Sequence, residues 1–131
     1  DLHESVRACT DVTGFGLAGH LLDMLSGNDL DCLLDPGALP AFPGVLEVAD
    51  MGLIPAGAYR NRELYSPRVE GIEKLPLNLQ DLVFDPQTSG GLLLAVDPGN
   101  APALLAVCEG TFAPGSRVIG QFGEGSGRIR F

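Results

Sequence analysis

Alternation and helical spacing divide the chain into short elements. Val6–Arg7–Ala8–Cys9–Thr10 alternates with a period of two, so residues 5–10 are expected to form a strand. Phe15, Ala18, Leu22 and Leu25 then fall at helical spacing, widened by Leu17, Leu21 and Met24, and predict a helix over 13–26 with one sheet-facing side. Gly27-Asn28 ends it. Leu30–Leu34 reads as a second strand, closed by the turn Asp35-Pro36-Gly37. A second helix is expected over 44–51 and a helical turn over 61–65, with surface loop over 66–76. Periodicity leaves 78–84 open between helix and extended chain.

The unbroken run Leu92–Val96 reads as a central strand buried on both faces. Asp97-Pro98 is expected to start a third helix carrying Ala101, Leu104, Leu105 and Cys108 on one face. Residues 116–122 alternate as a strand, 123–127 read as a turn, and 128–131 as a last strand at a sheet edge. About five strands and three helices without a regular βαβ period predict an α+β fold, a mixed sheet with helices packed on it.

At 131 residues the chain is expected to be one domain with a real core. It opens on DLHESV, without an initiator Met and almost on a strand, which suggests a domain of something longer. No run approaches the ~20 apolar residues of a membrane span, and no signal-peptide pattern opens the chain. A net charge of −9 argues against nucleic acid as a partner, and no basic amphipathic stripe points to a membrane. Cys9, Cys32 and Cys108 are odd in number and far apart, with no CxxC and only two histidines. Neither a zinc site nor a disulfide framework is expected. The cysteines read as small buried hydrophobes of a cytoplasmic protein.

Chemistry concentrates where the first strand meets the first helix. Asp11 is followed by Gly14 and Gly16, which let the backbone turn tightly and approach a ligand. The helix start beyond them offers unpaired N–H groups. Two readings stay open for Asp11 on the residues alone: a cap on those N–H groups, or one carboxylate of a magnesium–phosphate site. Thr88–Gly91 is similarly either an anion cradle or an ordinary turn. Arg60 and Asn61 read as ligand contacts or as local turn residues, and His20 as a histidine bonded to backbone. No phosphate-loop lysine motif, HExxH or nucleophile elbow occurs.

Two strings carry a resemblance. ACTDVTGFGLAGHLLDML at 8–25 and FDPQTSGGLLLAV at 84–96 resemble selenophosphate synthetases (selenide, water dikinases), as do IPAGAYRN at 54–61 and RVIGQF at 117–122. The resemblance covers nearly the whole chain and implies the C-terminal domain of such an enzyme, with an aminoimidazole-ribonucleotide-synthetase C-terminal-domain fold. It implies conversion of selenide, ATP and water to selenophosphate, AMP and phosphate with Mg2+. Asp11 maps onto the family's metal-binding aspartate; Thr13, Gly14 and Gly16 would shape the rim, with Asn61 and Thr88 near the phosphates. The nucleophilic Cys or selenocysteine, the lysine, further aspartates and most of a homodimer contact would lie in an N-terminal domain of the same chain. No catalytic residue is then expected within 1–131, and the domain alone is expected to be inactive. Two alternatives stand beside this: another ATP-dependent enzyme of the superfamily, and a non-catalytic binding or oligomerisation module.

Overall fold

The computed structural model describes residues 2–111 and 113–131. It has six strands and five α-helices among those residues, divided between a two-stranded ribbon and a four-stranded sheet. The strands are β1 (Val6–Asp11), β2 (Leu30–Leu34), β3 (Val69–Glu70), β4 (Leu92–Val96), β5 (Gly120–Glu124) and β6 (Ile129–Arg130). The helices are α1 (Gly16–Leu25), α2 (Val45–Asp50), α3 (Ala56–Tyr65), α4 (Leu77–Phe84) and α5 (Ala101–Thr111). The expected α+β class with a mixed sheet is what forms.

In the larger sheet the order is β3-β6-β2-β5, with β6 parallel to both neighbours and β5 antiparallel to β2. The segment expected at an edge is therefore interior. A polar clamp holds it there. Asp31 Oδ1 accepts from Ser126 N and Arg128 N, both at 2.8 Å, and Oδ2 meets Arg130 Nε at 2.7 Å. Cys32 N donates back to Arg128 O at 2.9 Å. A Cβ at Gly125 would collide with the Asp31 carboxylate, so the turn into β6 needs a glycine.

α1 is the main packing element. Ala18, Leu21, Leu22 and Leu25 are buried against Cys32, Leu34, Leu39, Val69, Val83, Phe84 and Ile129. Each leucine so buried stabilises the fold by roughly 1.5–3 kcal/mol, an upper range because unfolded chains already bury some apolar surface. The helix begins three residues later than the apolar spacing indicates: residues 13–15 form a turn, and Gly16 enters with φ +70°. Phe15, expected on the buried stripe, is 54% exposed.

Several other boundaries move. α3 is a full helix over Ala56–Tyr65 rather than a turn. The expected loop at 66–76 contains β3, whose Val69 is buried and completes the sheet. Residues 77–84 resolve as helix, and β5 starts at Gly120 rather than at 116; a side chain at Gly120 would strike the Leu33 carbonyl of the paired strand. Helix α5 begins at Ala101, and Asp97 instead receives two hydrogen bonds from the Arg7 guanidinium.

The largest departure is β4. Among the described residues it pairs only with β1, none of its residues is fully buried, and Leu92 is 67% exposed. An apolar run of five fits a buried central strand, but here it forms one half of a ribbon. The cysteines also divide: all three are free thiols, Cys32 and Cys108 are buried, but Cys9 lies on the exposed side of β1.

Candidate functional site at the β1–α1 turn

The β1–β4 ribbon brings the two glycine-bearing strings side by side. The antiparallel register sets Asp11 opposite Leu92, Thr10 opposite Leu93 and Cys9 opposite Leu94. Pairing continues past the strand ends, with Val12 N donating to Gly91 O at 2.9 Å and Gly90 N to Val12 O at 3.1 Å. Gln87 N then donates to Thr13 O at 3.0 Å. The DVTG turn and the DPQTSGG loop are thus one hydrogen-bonded rim, although the bonded residues lie 74 or more positions apart in sequence.

Side chains complete the rim. Asn61 is buried in α3, and its amide nitrogen donates to Gly14 O and Phe84 O, each at 2.9 Å. It ties the turn to the end of α4. His20 reaches back from α1, with Nε2 3.0 Å from Thr13 N and 3.0 Å from Thr13 Oγ1. Histidine bonded to backbone is the expected role for that residue. Gly16 is locked from the other side: a Cβ there would stand 3.0 Å from Asp85 O and from Phe84 C. Gly14, by contrast, has nothing within 4 Å of its Cβ position.

Asp11 ends β1 instead of capping α1. Phe15 occupies the N-cap position, with no side-chain hydrogen bond to the helix. The Asp11 residue is exposed, and among the described residues its carboxylate has no hydrogen bond or ion pair. Thr88 is exposed on the facing loop and also makes no side-chain hydrogen bond among the described residues. Around this end of the molecule the chain has therefore bonded most backbone groups and left one carboxylate unused.

A second acidic pair lies behind the rim. Asp81 is buried and takes a 2.6 Å bond from Arg62, whose guanidinium also sits 5.5 Å from the Phe84 ring centre. Asp85 accepts from Gln87 Nε2 at 2.6 Å. Burial pushes the Asp85 carboxyl above the ordinary carboxylate value, and the Asp81 charge adds to this while the Gln87 bond opposes it. Both carboxylates border a groove of about 350 Å3 between α2 and α4 whose walls are mostly apolar, among them Val45, Val48, Leu53 and Leu82.

Among the described residues no three His, Cys, Asp or Glu side chains cluster to hold a metal. Asp11 fits a magnesium ion as a single ligand: it is anionic, accessible and uncommitted. One or two carboxylates from a segment, completed by phosphate oxygens and water, is the usual magnesium arrangement. The spacing of residues did not show that His20, Asn61 and Gln87 would fasten the turn. A signal was present for His20, which interrupts a stripe of buried apolar positions and so needed a partner.

Residues 1–130 match the AIR synthase related protein, C-terminal domain family. The chain belongs to that family. Within it, the AIR synthase related domain described here is 48% identical over 99 residues to the selenide, water dikinase of Treponema denticola, covering 76% of this chain and 28% of that protein. It is 43% identical over 120 residues to the selenide, water dikinase of Pelobacter propionicus, covering 92% of this chain and 34% of the relative. With the enzyme of that name from Nitratidesulfovibrio vulgaris strain DP4 the identity is 41% over 126 residues, 95% of this chain and 36% of the relative. The AIR synthase related domain thus spans about a third of the length of these relatives. No described helix in it is long and apolar enough to cross a membrane.

Proposed function

We propose that this domain forms one wall of a magnesium–ATP site in a selenophosphate synthetase, an enzyme that converts selenide, ATP and water to selenophosphate, AMP and phosphate. The observation that carries the reading is the exposed carboxylate of Asp11, unpartnered among the described residues, on a rim whose backbone is hydrogen-bonded at Val12, Thr13, Gly14 and Gly16. The similarity to selenide, water dikinases supports the choice of reaction.

In this reading Asp11 holds magnesium, and the bound ion supplies charge neutralisation for the phosphate oxygens. The residues of this chain do the positioning. Gly14, whose Cβ side is open, leaves room for a phosphate to approach the turn. Thr13 and Gly16 set the path of the backbone, Asn61 fixes the turn from behind, and Thr88 presents a free hydroxyl from the facing loop. Phosphoryl transfer depends on positioning and on neutralising charge from several sides. Among the described residues this chain contributes an acid and no cation hydrogen-bonded to the rim, so a nucleophile and cationic groups are assigned to the rest of a longer, homodimeric, cytoplasmic protein.

The test is Asp11→Asn in the full-length protein. AMP formation from ATP and selenide is expected to fall more than about 100-fold, beyond the 10–100-fold usual for groups one shell further from a metal. The thermal unfolding midpoint is expected to stay unchanged. The 131-residue chain alone is expected to form no selenide-dependent AMP. Normal activity of the Asp11→Asn enzyme overturns the proposal.

A further inference from the structure

The turn that follows Asp11 is held by one side chain from the helix it begins. His20 is only 8% exposed, and its ring lies 5.6 Å from that of Phe15 in a tilted arrangement. Its Nε2 accepts from Thr13 N at 3.0 Å. A backbone N–H can only donate, so Nε2 is the unprotonated ring nitrogen and the neutral ring carries its proton on Nδ1. Five other backbone groups of the turn use backbone or Asn61: Val12 N and O pair with Gly91 and Gly90, Thr13 O with Gly16 N and Gln87, Gly14 O with Asn61. Thr13 N alone among these is satisfied by a histidine, placed seven residues along the chain.

We infer that His20 is a positioning residue for the magnesium site: by accepting from Thr13 it fixes the turn two residues after Asp11 and so sets where the Asp11 carboxylate is presented. The inference rests on the proposed role of Asp11. It adds that the helix does more than pack the core, since its one buried imidazole reaches back to brace the ligand-bearing loop. Leucine at position 20 fills similar space and accepts nothing. Glutamine keeps an acceptor oxygen on a side chain of similar reach.

Two measurements test this. In the 131-residue chain, the 15N shifts of the His20 ring are expected to show a protonated Nδ1 and a bare Nε2, with the Thr13 amide protected from exchange. His20→Leu is expected to lose that protection while far-ultraviolet circular dichroism stays unchanged. In the full-length protein, the magnesium concentration giving half-maximal AMP formation is expected to rise about tenfold in His20→Leu. His20→Gln is expected to restore most of it. A ring protonated at Nε2 overturns the inference even if the leucine variant does not fold. So does a leucine variant that is less stable but keeps the wild-type magnesium dependence. If Asp11→Asn abolishes activity while His20→Leu leaves magnesium dependence alone, only the role of His20 fails. If neither change matters, the reading of the site itself fails.

Discussion

The two glycines of the TGFG turn are expected to respond unequally to alanine. Gly16 has φ +70°, and a methyl group there would sit 3.0 Å from two backbone atoms, Asp85 O and Phe84 C. The left-handed conformation costs a residue with a Cβ about 1–2 kcal/mol. The contact is with the end of α4 rather than with a side chain that swings away, so relieving it shifts backbone and adds about 1–2 kcal/mol. Gly16→Ala is therefore expected to destabilise the fold by about 2–4 kcal/mol. Unfolding entropy for a chain of this size is about 0.28 kcal/mol per degree, so the midpoint should fall by about 10 °C. Gly14 is not in the positive-φ region and has open space at its Cβ. Gly14→Ala is expected to change stability by less than about 0.5 kcal/mol. The chain has no tryptophan, so urea and thermal unfolding are best followed by far-ultraviolet circular dichroism. Equal destabilisation by the two changes refutes the reasoning.

Three further outcomes follow from particular contacts. Backbone N–H groups of Arg128 and Ser126, aided by Arg130, hold the Asp31 carboxyl below its ordinary value. Its contribution is then complete above the unfolded value near 3.9 and is lost as pH falls through the lower folded one. The urea midpoints of wild type and Asp31→Asn should differ at pH 7 and converge only below about pH 4; a gap independent of pH contradicts this. Asn61→Leu leaves the Gly14 and Phe84 carbonyls without their donor and is expected to cost about 2–4 kcal/mol, while Asn61→Asp, which sets a charge against both, should cost more. An aspartate variant more stable than the leucine one at pH 7 speaks against the clamp. Burial pushes the Cys32 thiol up to about 11, and Cys108 is also buried, so a thiol reagent at pH 8 should find one fast site, Cys9. A fast phase that survives Cys9→Ser argues otherwise.

Local pattern revealed what local physics controls. The α1 stripe of Ala18, Leu21, Leu22 and Leu25, the Gly27 stop and the Asp35 turn were all legible, since each depends on neighbours within a few residues. Long-range pairing was not. Nothing in Arg128–Phe131 reveals that Asp31 will draw it into the middle of a sheet, and five apolar residues in β4 look the same whether two strands flank them or one. Asp11 stood out by its glycines, but its freedom became visible only when His20, Asn61 and Gln87 were seen to satisfy the surrounding turn. The family resemblance came from two strings that the fold proves to be hydrogen-bonded partners, which gives their joint occurrence a physical basis.

The interior place of β6 bears on how the chain is made. Its neighbour β2 leaves the ribosome almost a hundred residues earlier. At ~5–20 residues per second, that strand waits roughly 5–20 s with both edges unsatisfied, because its other neighbour β5 is also made late. During that interval Leu33 and Leu34 are exposed beside open backbone groups, the features on which nascent chains associate. Completion of the sheet is then a late, long-range event in synthesis. Holdase protection would matter most between the emergence of β2 and the arrival of the Ser126–Arg130 segment.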